Sequence, residues 1–312
     1  MLRTPLQHFS GDAGPWRDLL LKDETRQVAG SYKYRSVYLR LRMASPATIF
    51  VAASTGNHGL AVATAARALG HTARIFAPAW TPEEKLSLIE KQGAQLVLLS
   101  GNFRDCLEEA KNHSAASGAV FVASFDDPES IRGHRSMLDE LDGITFDAIY
   151  VPVGGGGLLA AALLHWPDQS ERIVGVELDS ISAMQKSLSS RRRVIVDVGP
   201  SIAEGLNVPQ VGQLPFEICT AARPSFVSVS EAEIKEAMRL LWEKNRIRAE
   251  GAGAIALAGA LKRDHPGQSA ICVISGGNIS CERFATAMSD ATNELAPEEH
   301  VRQTADGHRC VR

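Results

Sequence analysis

Short runs of β-branched and apolar residues alternate along the chain with longer segments whose apolar positions recur at helical spacing. The runs from Thr48 to Ala53, Thr72 to Phe76, Gln95 to Leu99, Val120 to Ser124, Ala148 to Val153, Arg172 to Leu178 and Ala270 to Ser275 read as strands. Helices are predicted from Asn57 to Leu69 (ending at Gly70), Pro82 to Lys91, Phe103 to Ser114, Pro128 to Leu141, Leu158 to Leu164, Glu231 to Lys244, Gly251 to Leu261 and Cys281 to Asp290. Strands alternating with helices predict an α/β fold whose parallel sheets are covered on both faces. The segment from Asn207 to Pro215, rich in Pro, Gly and Gln, reads as a loop. The charged stretch from Ala296 to Arg312 predicts a disordered tail.

Composition narrows the classes. A chain of 312 residues with 45% apolar and 22% charged residues has the make-up of a globular protein with a sizeable core. A net charge of −3 gives no reason to expect nucleic acid or an acidic membrane as partner. The five cysteines form no CxxC pair and the nine histidines no HExxH pattern, so neither a disulfide framework nor a zinc site is expected. No leader-like segment opens the chain and every apolar stretch is interrupted well before ~18 residues, which predicts a cytoplasmic enzyme without a membrane span. Arg191-Arg192-Arg193 reads as a solvated basic face.

Four segments carry candidate chemistry. Lys33 lies in Gly30-Ser31-Tyr32-Lys33-Tyr34-Arg35, flanked by a turn and two aromatic residues. Burial there would lower its proton affinity and favour Schiff-base chemistry. Gly154-Gly155-Gly156-Gly157 follows a strand and, with Leu158, opens an apolar helix, the geometry of a phosphate cradle. No Gly-Lys-Ser/Thr follows, so it is not a Walker loop. Glu177, some twenty residues on at a strand end, keeps a dinucleotide alternative open. Ser54-Thr55-Gly56-Asn57-His58-Gly59 and Ser275-Gly276-Gly277-Asn278 also stand at strand ends. Alone, the first is an N-cap and the second a turn. A flanked lysine with three such loops points to pyridoxal phosphate held by the lysine, in the position ligands take at the carboxyl ends of strands.

Together these segments resemble the fold-type II pyridoxal phosphate enzymes, and most closely their serine/threonine dehydratase branch. The lysine pattern Lys-x-Glu followed by Gly-Ser-Phe-Lys-x-Arg-Gly stands here as Lys22-Asp23-Glu24 and Gly30-Ser31-Tyr32-Lys33-Tyr34-Arg35-Ser36. The resemblance implies a tryptophan-synthase-β-like fold of two open parallel-sheet domains with the cofactor in the cleft. Residues 1–53 and 134–295 would form the large domain, and 54–133 a small mobile one. It makes Lys33 the Schiff-base lysine and catalytic base. Asn57 would bond the cofactor's ring oxygen, and Gly154, Gly155, Gly156, Gly157 and Leu158 would hold its phosphate. Ser275 would face its ring nitrogen, with Glu250 nearby. Ser54, Thr55, Asn57 and His58 would hold the substrate carboxylate.

The implied reaction is β-elimination from a β-hydroxy amino acid such as L-serine or L-threonine, yielding a 2-oxo acid and ammonia. Replacement enzymes of the cysteine- or threonine-synthase kind, amino-acid racemases and a non-catalytic cofactor-binding protein are the alternatives. A homodimer acting on a small amino acid is expected. Several residues depart from the pattern. Ser36 replaces a glycine, Leu60 a glutamine donor, Thr55 an alanine or serine, and Gly133-His134-Arg135-Ser136 a Gly-Gln-Gly-Thr. Arg135 is therefore a candidate for an anionic substrate group, or else part of a surface or interdomain salt bridge. Glu177 matches one carboxylate of a cation site found in some members, but Ala183 stands in the second place, so no metal is expected.

Overall fold

The computed structural model describes residues 1–14, 16–262 and 267–294; the tail expected from 296 to 312 lies outside them. In chain order the elements are β1 (Leu6–His8), β2 (Trp16–Asp23), α1 (Lys33–Leu41), β3 (Ile49–Ala53), α2 (Asn57–Leu69), β4 (Thr72–Pro78), α3 (Glu83–Glu90), β5 (Gln95–Leu99), α4 (Phe103–Ser117) and β6 (Val120–Phe121). There follow α5 (Pro128–Leu138), β7 (Ala148–Pro152), α6 (Gly157–His165), β8 (Ile173–Leu178), α7 (Ala183–Ser189), α8 (Gln213–Ala222), β9 (Ser225–Val229), α9 (Glu231–Asn245), α10 (Gly251–Lys262), β10 (Gly267–Ile274) and α11 (Cys281–Glu294).

Local chemistry explains many of the boundaries. Gly70 and Gly118 end α2 and α4 in the left-handed conformation, while Asn102 with Asp105 and Ser230 with Glu233 build reciprocal caps at the starts of α4 and α9. Asp127 caps α5 ahead of Pro128 in its first turn.

The strands form two sheets, one of six in the order β1-β2-β10-β7-β8-β9 and one of four in the order β5-β4-β3-β6. All pairs are parallel except β1 with β2. Every residue of β7 and β8 is buried, as expected when helices cover both faces. In the larger sheet the chain runs from β7 outward to β8 and β9, while β10 pairs on the other side of β7. In the smaller, β4 and β5 lie on one side of β3 and β6 on the other. Each sheet therefore reverses direction once, and each reversal opens a crevice at strand carboxyl ends.

Several elements escape a reading of the pattern. β2 ends in Lys22 and Asp23, charged residues that are nevertheless buried; Glu140, far along the chain, neutralises Lys22, while Arg26 lies 3.7 Å from Asp23. β9 is a half-exposed edge strand, and α8 begins inside the stretch read as a loop. The smaller sheet includes β3, and α1 contributes Tyr34, Val37 and Leu41 to the core beside it. A boundary at residue 54 thus cuts this lobe through its own sheet. Among the described residues no helix is long and apolar enough to cross a membrane.

Candidate active site

Lys33 is the first residue of α1. Its Nζ donates to Ser124 O at 2.6 Å and lies 5.1 Å from the centre of the Tyr32 ring. Burial pulls its pKa down to about 8.

The motif residues around it are its foundation. Arg35 forks onto Glu24 with Nε and Nη2 at 2.7 and 2.8 Å, and reaches Glu140 with Nη1 at 2.6 Å. Glu140 in turn accepts from Lys22 Nζ at 2.5 Å, and Thr4 Oγ1 donates to Glu24 at 2.5 Å. Arg35 and Glu24 are 0% exposed and Lys22 1%, so two cations and two carboxylates balance in the interior. The backbone just before Lys33 is stitched to the loop after β10, Tyr32 N to Ser275 O and Gly277 N to Gly30 O, both at 3.0 Å.

The glycine run after β7 is backbone in close quarters. A Cβ on Gly155 would lie 2.3 Å from the Phe125 ring, and one on Gly157 3.0 Å from Phe125 Cβ. Gly156 has φ +92°, with Met184 and Pro215 beside it. Gly154 faces the backbone of Leu206. No side chain caps α6, so its first amides, Leu158 among them, are available to an anion. This capless, side-chain-free turn fits a phosphate group.

α2 opens with one of its first amides capped. Ser54 Oγ accepts from Gly56 N and Gly59 N at 3.1 and 2.9 Å, Gly56 supplies no side-chain cap, and the amides of Asn57 and His58 follow. Thr55 is half-buried beside them, and Leu60 joins the apolar core of the lobe. Asn57 Nδ2 donates to Glu250 Oε1 at 2.5 Å, while its Oδ1 accepts from Asn278 Nδ2 at 2.7 Å. These bonds join the small lobe to the large one. Burial pushes the Glu250 carboxyl up to about 7. The Ser275 hydroxyl is buried and donates to Ala252 O at 3.1 Å. The His58 ring is buried, its Nε2 2.9 Å from Val122 O, and burial pulls its pKa down to about 3.

Two candidates stand elsewhere. Arg135 is exposed on α5 and makes no hydrogen bond or ion pair among the described contacts, so the structure does not bring it to the site. A Cβ on Gly133 would lie 2.4 Å from Ser36 Cα, so α1 and α5 cross backbone against backbone. That crossing turns His134, not Arg135, inward onto the Tyr32 ring, with centroids 4.9 Å apart. Glu177 is buried and accepts from Met184 N and Gln185 N at 2.7 and 3.0 Å, which occupies it in holding the start of α7.

The segment 122–127 was not singled out from the sequence, yet it touches nearly every part of the site. Its carbonyls bind His58 and Lys33, Phe125 packs on the glycine run, and Asp126 accepts from the amides of Gln213 and Leu214 at the start of α8. The available signal was its position directly after a strand. At the cleft rim Glu204 accepts from Arg283 at 2.6 Å and pairs closely with Lys85 of α3, linking the lobes a second time.

This geometry agrees with comparisons to known proteins. An L-threonine ammonia-lyase of Thermotoga maritima is 35% identical over 272 residues, covering 84% of this chain and 67% of that protein. The catabolic L-threonine dehydratase of Escherichia coli is 31% identical over 279 residues, covering 86% and 85%. An L-serine ammonia-lyase from the fungus Rhizomucor miehei shares the fold with a TM-score of 0.82 at 26% identity, covering 93% of this chain and 98% of that one. The family model described as pyridoxal-phosphate dependent enzyme matches residues 1–277. This chain therefore belongs to the family of pyridoxal-phosphate dependent enzymes.

Proposed function

We propose that the chain is an ammonia-lyase that removes water from a β-hydroxy amino acid such as L-serine or L-threonine, releasing a 2-oxo acid and ammonia. The observation that carries this reading is Lys33, a half-buried amine whose pKa is lowered to about 8, bonded to the carbonyl of Ser124 in the segment whose Phe125 packs on the glycine run. Pyridoxal phosphate, when bound through Lys33, supplies the electron sink that makes the substrate α-hydrogen acidic. Gly154 to Gly157 and the Leu158 amide would hold its phosphate, Asn57 its ring oxygen and Ser275 its ring nitrogen, with Glu250 orienting Asn57.

The N-terminus of α2 suits the substrate carboxylate, because an anion there meets the free amides and the helix dipole. As a free amine, Lys33 would take the α-proton and pass it to the departing hydroxyl, which leaves as water. The enamine set free hydrolyses to the oxo acid and ammonia. The cross-lobe bonds of Asn57 and the rim pairs of Glu204 support closure of the small lobe over the site, which keeps bulk water from the reacting carbon. We take the working unit to be a homodimer, the state the resemblance implies.

The test is 2-oxo acid release by the cofactor-loaded protein from L- and D-serine, L-threonine, 3-hydroxyaspartate and O-phospho and O-acetyl serine. Turnover of a plain hydroxy amino acid, lost in Lys33→Ala, is the expected result. Turnover of the activated esters alone would move the chain to the replacement class. Full activity in Lys33→Ala would refute the mechanism.

A further inference from the structure

Lys33, His58 and His134 come from α1, α2 and α5; Lys33 Nζ and the His134 ring both lie against the Tyr32 ring, and His58 and Lys33 meet the carbonyls of Val122 and Ser124, two residues apart. His58 faces the carbonyl of Val122 with Nε2, so in the neutral ring Nε2 carries the proton and Nδ1 is a bare lone pair. That Nδ1 is buried and has no partner. His134 is 0% exposed and neither of its ring nitrogens has a partner. An interior imidazole without hydrogen bonds costs free energy that a phenylalanine in the same place would not, so these lone pairs call for a use.

The surrounding charges show what that use is. Arg35 is occupied by Glu24 and Glu140, Arg40 by Asp127, and Glu250 by Asn57. Tyr32, between His134 and Lys33, stays a neutral phenol because burial raises its pKa. Among the described residues no carboxylate pairs with Lys33, whose Nζ bonds only to Ser124 O. The reaction proposed above requires Lys33 to become an ammonium with three N–H groups inside this site.

We propose that His58 and His134 are hydrogen-bond acceptors for the Lys33 ammonium, and that His58 meets the substrate carboxylate through its backbone amide and not through its ring. A carboxylate in their place would trap the proton by its charge. A neutral imidazole stabilises the ammonium and still lets the proton go on to the leaving group. The inference rests on the reading of Lys33 as the proton-carrying amine.

The experiment measures the Lys33 pKa in the cofactor-free chain. The pH dependence of acetic anhydride labelling is followed on the Lys33 peptide by mass spectrometry, in wild type, His134→Phe and His134→Gln. Loss of the acceptor in His134→Phe should lower the pKa by about one unit, while the amide oxygen of His134→Gln should keep it near wild type. An unchanged value in His134→Phe, or equal shifts in both variants, would overturn the proposal. If the phenylalanine variant does not fold, 15N shifts of the wild-type His58 and His134 rings decide. They should move as pH crosses the Lys33 pKa, and their constancy would refute the role. Failure of pyridoxal phosphate to be fixed on Lys33 by borohydride would instead defeat the proposed function, and the pKa comparison would still stand.

Discussion

Arg35→Leu tests whether the charged residues of the lysine motif form the foundation of the site. The substitution keeps bulk on α1 but removes the partner of two carboxylates. Glu24, 0% exposed, loses the fork at 2.7 and 2.8 Å and keeps only the Thr4 hydroxyl. Glu140 loses one bond of 2.6 Å and retains Lys22. Leaving a buried carboxylate unpaired costs about 3–5 kcal/mol, a large part of the roughly 5–15 kcal/mol that holds a domain folded. Urea unfolding followed by circular dichroism at pH 7 should show that loss.

The pH dependence has a definite sign. In wild type the cations of Arg35 and Lys22 hold the Glu140 pKa below its ordinary value, so its stabilisation is present above that value and lost as pH falls through the folded pKa. The variant's Glu140 keeps only Lys22 of these two cations, so the gap between the two proteins should narrow on acidification. A gap below about 1 kcal/mol at pH 7, or one that widens towards pH 4, would refute the argument.

Gly155→Ala would force a Cβ to within 2.3 Å of the Phe125 ring and should weaken pyridoxal phosphate binding about five- to hundredfold with the fold retained, as read by cofactor absorbance and circular dichroism. Both buried imidazoles have folded pKa values below the unfolded one, so their contribution is intact above about pH 6.5 and lost as pH falls, by about 2 kcal/mol for each ring at pH 5. His134→Phe should therefore lose less stability than wild type between pH 7 and pH 5 in paired urea titrations; equal losses would contradict the neutral-ring assignment. Glu204→Gln loosens the rim pairs with Lys85 and Arg283 by about 1 kcal/mol, and hydrogen exchange in α3 should quicken, with 0.5 M salt doing the same to wild type and little to the variant.

The alternating pattern of strands and helices, the three glycine-containing loops at strand ends and Lys33 beside its turn were all legible in the residues. Each depends on interactions a few positions apart. A strand end followed by glycine and a helix start is local chemistry, and Gly70 marked the end of α2 for the same reason. What lay beyond reach depends on distant partners. The burial of Lys22 and Glu24 follows only once Glu140 and Arg35 are brought against them, and β2, which ends in such charges, was not read as a strand. Strand order decided that the segment 122–127 faces Lys33, because β6 pairs beside β3 although more than sixty residues separate them. The choice between His134 and Arg135, adjacent on one helix, was made by the contact of Gly133 with Ser36. Sequence carries the period of a helix, but the angle at which its faces turn is set only when another backbone packs against it.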